Sequence, residues 1–511
     1  DRIEDNMMRA IDRVPAVGTA GIKRVINGPM IWSPDSNVLF GPHPDLTNYF
    51  CCNGIIPGFS QSGGMGLMSA QWIVEGESQY DMFAWDVARF GDWADKAFTK
   101  ARVGDQYAKR FAIHFPNEER DAGRPVRTRP AHALQAALGG VFGLNYGWEH
   151  VQWFADHPGA KDTNGFTRQN WFEPVGRECR MLRETAGIID ISNFAKYRVS
   201  GAQAEEWLNA VFANTMPKAV GRSCLTPLIG VRGGIAGDFT VTRLDEDEFM
   251  IIGSGMAERY HQRFWKMVPM PGGVRFESLT DALCGFNVAG PKSRELLQRL
   301  TNTSLATGDF PFMRSKRIEL ASVQCVALRV SFTGDLGWEL HCKTEDQLRL
   351  YEALLDCAKD FGAGPVGARA LMSLRVEKGY GSWSREYSPE YWPQEVGLAG
   401  LIKLGKDFLH KKAYLAIKDN APRERLCIVE ILSPDNADAT GGEPIFDKSG
   451  AGVGRVTSGS YGYGVNKSLA LCYLKNVTAG DAVDVMILGK PHHAIVLPEA
   501  PFDPKGEKLR A

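Results

Sequence analysis

The sequence predicts an α+β chain of several domains. Three observations carry this. Helical periodicities alternate with antiparallel hairpin patterns, the tail holds five short strands separated by turns, and no GxGxxG stands in a strand–helix setting that would signal a doubly wound parallel sheet. At 511 residues there is room for two to four domains. Lys+Arg 59 against Asp+Glu 60 leaves a net charge of −1, which argues against nucleic acid or an anionic membrane surface as the main partner. A hydrophobic content of 44% with 23% charged residues is that of a folded globular chain. No run of about 18 apolar residues offers a membrane-spanning helix.

The chain opens DRIEDNMMRAIDRV, with neither an initiator Met nor an apolar signal core, and reads as a cleaved or truncated start without a secretion signal. Lys23–Trp32 and Tyr49–Cys52 read as short strands. Gly63, Gly64 and Gly66 then introduce an apolar helix, Leu67–Val74, closed by Gly76. From Ile113 to about Asp162 periodicity is poor, but Trp148, Trp153 and Phe154 need burial, so this segment reads as a small α+β connector and not a free linker.

Beyond Trp171 the signals sharpen. Ile188–Ile191 and Lys196–Ser200 read as strands. Ala202–Met216 reads as a helix with Trp207, Leu208, Val211 and Phe212 on one face. Leu228–Val231, Ile235–Leu244 and Phe249–Ile252 form three antiparallel strands joined at Arg232-Gly233-Gly234 and Asp245–Glu248. Cys325–Phe332 and Trp338–Cys342 flank a glycine-bearing hairpin loop. Leu348, Tyr351, Leu354, Leu355 and Ala358 define an amphipathic helix ending near Gly362, and Gly367–Tyr380 is a short helix followed by a turn. In the tail, Leu426–Leu432, Gly452–Ser458, Leu469–Leu474, Ala482–Ile487 and His493–Leu497 predict a small closed β-barrel.

Several residues could carry chemistry. Asp238 lies in mid-strand and shares a face with Thr240 and Thr242, opposite Phe239, Val241 and Arg243. A strand carboxylate there serves either a ligand in a cleft or a solvated face. Glu339, between Trp338 and Leu340, either accepts N–H donors of a heterocycle or stands on a surface strand. Arg369 and Arg375 occupy different helical faces, each suited to gripping a carboxylate or to structural ion pairing. Ser60–Gly66 could present backbone N–H groups to an anion or a polar ring edge. The ten cysteines show no CxxC spacing, and Cys51–Cys52 reads as buried reduced thiols. There is no HExxH or Gly-x-Ser-x-Gly, and His492-His493 reads as the end of an edge strand, so metal and serine-nucleophile chemistry are unsupported.

Six segments in order resemble the folate-binding aminomethyltransferase (glycine-cleavage T-protein) family over roughly residues 165–505. They are WFEPVGRECRMLRETAGIIDISNFAKYRVSG, GGIAGDFTVTRL, NVAGPKS, SFTGDLGWEL, GARALMSLRVEKGYGSW and GRVTSG. Upstream, GPMIWSPDSNVLFGPHPDLTNYFCCNGIIPGFSQSGGMG and WIVEGE resemble the C-terminal portion of a flavin-dependent amine-oxidase domain, and HFPNEERDAGRPVR a connector between the two. The combination is similar to sarcosine and dimethylglycine dehydrogenases. It implies a partial flavin domain over residues 1–112, a connector over 113–164, a folate-binding domain over 165–404 and a C-terminal barrel over 405–511.

The resemblance implies oxidation of an N-methyl amine at FAD and capture of the one-carbon unit by tetrahydrofolate as 5,10-methylenetetrahydrofolate. It makes Asp238 the carboxylate beside the reacting folate nitrogens, Glu339 the acceptor for the pterin N–H edge, and Arg369 the grip on the glutamate tail or a nearby acid. Gly63, Gly64, Met65 and Gly66 would line the flavin ring. Two departures stand out: Gly237-Asp238 replaces a pair of acids common in the family, and Ser254 stands where many T-proteins have an Asn on the pterin. The nucleotide-binding βαβ unit and the covalent-flavin histidine common in the family are absent, so the chain reads as a fragment, or another polypeptide supplies the rest. The implied compartment is the bacterial cytoplasm or the mitochondrial matrix. The alternatives are a flavin-independent folate-dependent aminomethyltransferase or demethylase, and a non-catalytic subunit that binds folate or a partner. A large exposed apolar surface on residues 1–112 is expected of the first reading, and a region closed on itself of the second.

Overall fold

A computed structural model describes residues 3–511. Its centre is a pair of antiparallel-rich sheets. One has five strands, in the order Arg275–Ser278, Ala195–Ser200, Glu248–Gly253, Ile235–Asp245, Ser223–Ile229. The other has six, in the order Ser315–Leu320, Val323–Leu328, Gly337–Lys343, Leu283–Ala289, Gly187–Asp190, Gly364–Val366, the last pair parallel. Strand alternation decides which side chains enter the cores. Phe239 and Val241 pack with Tyr197, Phe249 and Ile251 under the first sheet, and Trp338 and Leu340 with Phe286 and Tyr351 under the second. Burying each such side chain stabilises by about 1.5–3 kcal/mol.

The helices meet the expected periodicities with adjusted ends. Gln347–Lys359 buries Tyr351, Leu354 and Ala358 as expected, while Leu348 and Leu355 are half-buried and Leu350 enters the core in place of Leu348. The helix expected over Ala202–Met216 spans only Ala204–Val211; Phe212 is extended and still fully buried. The hairpin strand expected to reach Phe332 stops at Leu328, because Arg329 turns into the core to bond Phe310 O at 2.7 Å. Of the connector's aromatics Trp148 and Trp153 are buried and Phe154 is half-buried. Its hairpin, Gly140–Asn145 with Trp148–Phe154, sends Val141 and Trp153 into a cluster with Val175 and Leu182. The tail closes as a barrel of six strands, not five, since Pro444–Phe446 adds a short one. Lys490–Val496 is inside that closed barrel, so His492 and His493 do not end an edge strand.

The N-terminal stretch departs most from expectation. Lys23–Trp32 is not a strand: no segment pairs with it, and Val25, Ile26 and Ile31 are exposed. The helix starts at Gly58 and runs to Glu75, so Gly63, Gly64 and Gly66 lie within it. Their amides sit in mid-helix, where backbone N–H groups bond the preceding turn, and do not form an anion-binding loop ahead of a helix. All ten cysteines are free; Cys51 is buried, but Cys52 is exposed.

Candidate functional site

Asp238 stands on the longest strand of the five-stranded sheet, paired across to Pro227, which has no N–H to offer. The expected alternation holds: Phe239 and Val241 enter the core, while Asp238 and Thr240 are half-buried on the other face and Thr242 bonds Ser223 Oγ at 2.8 Å. Among the described residues no Lys, Arg or His nitrogen lies within ion-pair distance of the Asp238 carboxylate, and burial pushes its pKa up to about 6. Gly237 leaves no space for the first acid of the pair that the resemblance implies. A Cβ there would lie 2.7 Å from Phe239 Cε2 and 2.9 Å from His261 Nε2, so a single carboxylate stands at this point of the strand. Burial holds His261 far down, at about 3, so it is a neutral ring behind the Asp238 strand.

Ser254 follows the neighbouring strand. It stands just beyond the strand end at Gly253, two residues past Ile252, which pairs with Thr240. Its hydroxyl makes no capping bond to the short helix it opens. Sequence reasoning missed Tyr387. Burial first, and next the Asp238 charge, push its phenol pKa up. Only its neighbourhood to Glu386 marks it in the sequence, and no spacing rule would have selected it.

Glu339 occupies the Gly337–Lys343 strand between Asn287 and Leu328 on its two neighbours. Its carboxylate is largely covered and lies 3.5 Å from His341 Nε2 on the same strand face. Burial lowers the His341 pKa, so the imidazole is neutral near pH 7 and leaves the Glu339 charge uncompensated. Asn287 Oδ1 and both His341 ring nitrogens are buried without hydrogen-bond partners, next to this acceptor. Ile252, paired with Thr240, and Leu328, paired with Glu339, share one small apolar cluster. That cluster brings the Asp238 and Glu339 strands together at the seam of the two sheets. Unpaired carboxylates and unfilled polar atoms at this seam suit a flat, donor-rich heterocycle such as a pterin.

The other predicted residues fall elsewhere. Arg369 grips Asp162 with both terminal nitrogens, at 2.9 and 2.7 Å, and Trp153 Nε1 donates to the same carboxylate at 2.7 Å. Of its two implied tasks, the structure assigns it the nearby acid. Arg375 is a buried structural pair with Glu386 at 2.6 Å. Met65 packs inward against Val38, Phe40 and Met82 and so does not share the open face of its helix. Gly63 and Gly66 are exposed, and a Cβ on either would meet nothing within 4 Å. Among the described residues no cluster of His, Cys, Asp or Glu is arranged to hold a metal, and no helix is long and apolar enough to cross a membrane.

Three families match the chain in succession. The FAD dependent oxidoreductase central domain matches residues 75–128, the GCVT N-terminal domain 131–406, and the glycine cleavage T-protein C-terminal barrel domain 424–503. Mouse mitochondrial dimethylglycine dehydrogenase is 35% identical over 510 residues, covering 98% of this chain and 58% of its own length. A 4-methylaminobutanoate oxidase (formaldehyde-forming) of Paenarthrobacter nicotinovorans is 32% identical, covering 97% of this chain and 61% of its own. The chain therefore spans about three fifths of these relatives. The aminomethyltransferase T structure of the glycine cleavage system from Bartonella henselae superposes with a TM-score of 0.64 at 22% identity, over 74% of this chain and 98% of that one, which establishes the shared fold.

Proposed function

This chain belongs to the GCVT aminomethyltransferase family, and from that premise we propose that it is the folate-binding part of an FAD- and tetrahydrofolate-dependent N-methyl amine dehydrogenase acting on sarcosine, dimethylglycine or a similar amine. The observation that carries the proposal is the pair of uncompensated carboxylates, Asp238 and Glu339, at the seam of the two sheets. Tetrahydrofolate supplies the nitrogens that take up the one-carbon unit. Asp238 stabilises positive charge developing beside them, an effect strengthened by its recessed setting. With a pKa near 6 it is mostly ionised at pH 7 and can also hold a proton. Glu339, with Asn287 beside it, accepts the N–H edge of the pterin, and the Ser254 hydroxyl replaces the longer Asn of T-proteins.

FAD supplies the oxidising chemistry, and the residues present fit it on one side only. The exposed Gly63–Gly66 face admits close approach of a flat ring. Among the described residues nineteen of the thirty-one exposed large apolar side chains lie between Ile3 and Ile113, which supports a surface covered by the nucleotide-binding part of a flavin domain, in the same polypeptide or another. This favours the dehydrogenase reading over a flavin-independent transferase whose N-terminal region closes on itself. Titration calorimetry with tetrahydrofolate tests the proposal. We expect saturable binding to the wild-type chain and at least a tenfold loss in Glu339→Ala. Well-folded protein that takes up no tetrahydrofolate would exclude the folate function.

A further inference from the structure

Where the two central sheets meet edge to edge, the backbone sets two cations against each other. Arg222 precedes the strand Ser223–Ile229, Arg314 precedes Ser315–Leu320, and the two form an antiparallel bridge. The Ser223 N–H donates to Met313 O at 3.0 Å and the Ser315 N–H to Gly221 O at 2.7 Å. These bonds flank the arginines and leave them as a non-hydrogen-bonded pair, the closer of the two kinds. Side chains so paired leave the sheet on one face, and like charges directly opposite destabilise it.

The chain is bent on both sides to make this pair. Gly221 and Arg222 together stand opposite Arg243, whose O accepts the Gly221 N–H at 2.8 Å and whose N–H donates to Arg222 O at 3.0 Å. Met313 and Arg314 stand opposite Arg329 with the same two bonds, at 3.0 and 2.8 Å. Each is a bulge whose first residue is left-handed, Gly221 at φ 73° and Met313 at φ 60°. Glycine adopts that conformation freely, but methionine holds it under strain. The charges are not neutralised either. Arg222 is exposed and Arg314 half-buried, and among the described residues neither side chain makes an ion pair or a hydrogen bond. The neighbouring cations have no acid to share: Arg243 and Lys218 both bond the one carboxylate of Glu205, and Arg329 donates to the Phe310 and Arg510 carbonyls. A strained Met, two opposed like charges and no counter-ion are three costs at one place. An anion that spans both guanidiniums offsets them. One planar carboxylate is satisfied by a single guanidinium fork, whereas two forks and two charges match a tetrahedral dianion.

We propose that Arg222 and Arg314 form a binding site for a phosphoryl dianion, as free phosphate or as a small phosphate monoester. The site is independent of the folate reading. Calorimetric titration of the whole chain at pH 8 and constant ionic strength, with inorganic phosphate, glycerol 3-phosphate and formate, tests it. We expect saturable binding of at least one phosphate compound, and formate at least tenfold weaker. The tighter of the two phosphate compounds identifies whether the free ion or the ester is the form taken. Arg222→Gln and Arg314→Gln should each weaken that compound at least tenfold. Arg222 is exposed, so its replacement leaves the core intact. In phosphate-free buffer Arg222→Gln should melt above wild type, since it removes the opposed charge, and with saturating phosphate the order should reverse. No saturable binding of either phosphate compound, formate binding as tightly, or unchanged affinity in folded Arg222→Gln would each overturn the assignment.

Discussion

At the residue scale, Asp238 is a carboxylate kept without a counter-ion, and such a group is retained at a cost to stability. Its pKa is raised, to about 6, so the folded protein holds the proton more tightly than the unfolded chain. The contribution to stability is then full below the unfolded value of about 4 and is lost as pH rises through about 6. Asp238→Asn removes that loss, so its thermal midpoint should exceed wild type by a few degrees at pH 7 and match it near pH 4. With a glycine–formaldehyde adduct as donor, the same variant should lose about 10²-fold in one-carbon transfer to tetrahydrofolate while keeping folate affinity. The wild-type rate should rise with pH through about 6, and that limb should vanish in the variant. A variant with unaltered transfer would remove Asp238 from the chemistry. Asp238 and Glu339 are legible in the sequence as carboxylates on predicted strands. Tyr387 is not, because whether it feels the Asp238 charge depends on how the loop after Gly379 folds back.

At the scale of elements, single buried acids tie segments far apart in sequence. Glu178, fully buried on the helix Phe172–Glu184, accepts the N–H of Phe154 from the connector hairpin and of Gly367 at the start of the next helix, both at 2.7 Å. Gly367 is fixed by the same junction, since a Cβ there would lie 2.3 Å from Gln152 O. Glu178→Ala should orphan two buried donors and cost about 3 kcal/mol, read as a lowered urea midpoint with faster amide exchange at Phe154. Arg375 does the equivalent for the barrel, bonding Glu386 and Ser458 Oγ, each at 2.6 Å. Arg375→Met leaves Glu386 buried without its cation, and we expect a loss of about 3–5 kcal/mol in a denaturant titration. Exchange protection that stays unchanged in the barrel would show that this pair does not couple the two units.

Across the whole molecule the asymmetry is between a well-covered C-terminal portion and an N-terminal stretch rich in exposed apolar side chains. Val25, Ile26 and Ile31 are exposed on a segment that no strand pairs with among the described residues, and Phe59 and Val74 are exposed on one helix. Ile26→Lys with Val74→Lys should lower binding of a hydrophobic dye and self-association by light scattering, with the melting of the sheets and barrel unchanged. Dye binding equal to wild type would mean that this face is covered in solution.

The sequence alone determined the elements and their faces, because a period of 2 or 3.6 in apolar residues fixes which side chains a strand or helix buries. That is why the Phe239/Val241 face, the Tyr351–Leu354–Ala358 stripe and the closed tail barrel were readable. What needed long-range contact was decided only by the tertiary structure. Lys23–Trp32 has strand composition but finds no partner. The glycines at 63, 64 and 66 look like a loop yet continue a helix whose neighbours they do not touch. Pro444–Phe446 becomes a strand because the barrel must close. The charge states followed the same division: the family resemblance singled out Asp238, Glu339 and Arg369. Burial and the absence or presence of a counter-ion, which only folding sets, left the first two free to meet a ligand and committed the third to Asp162.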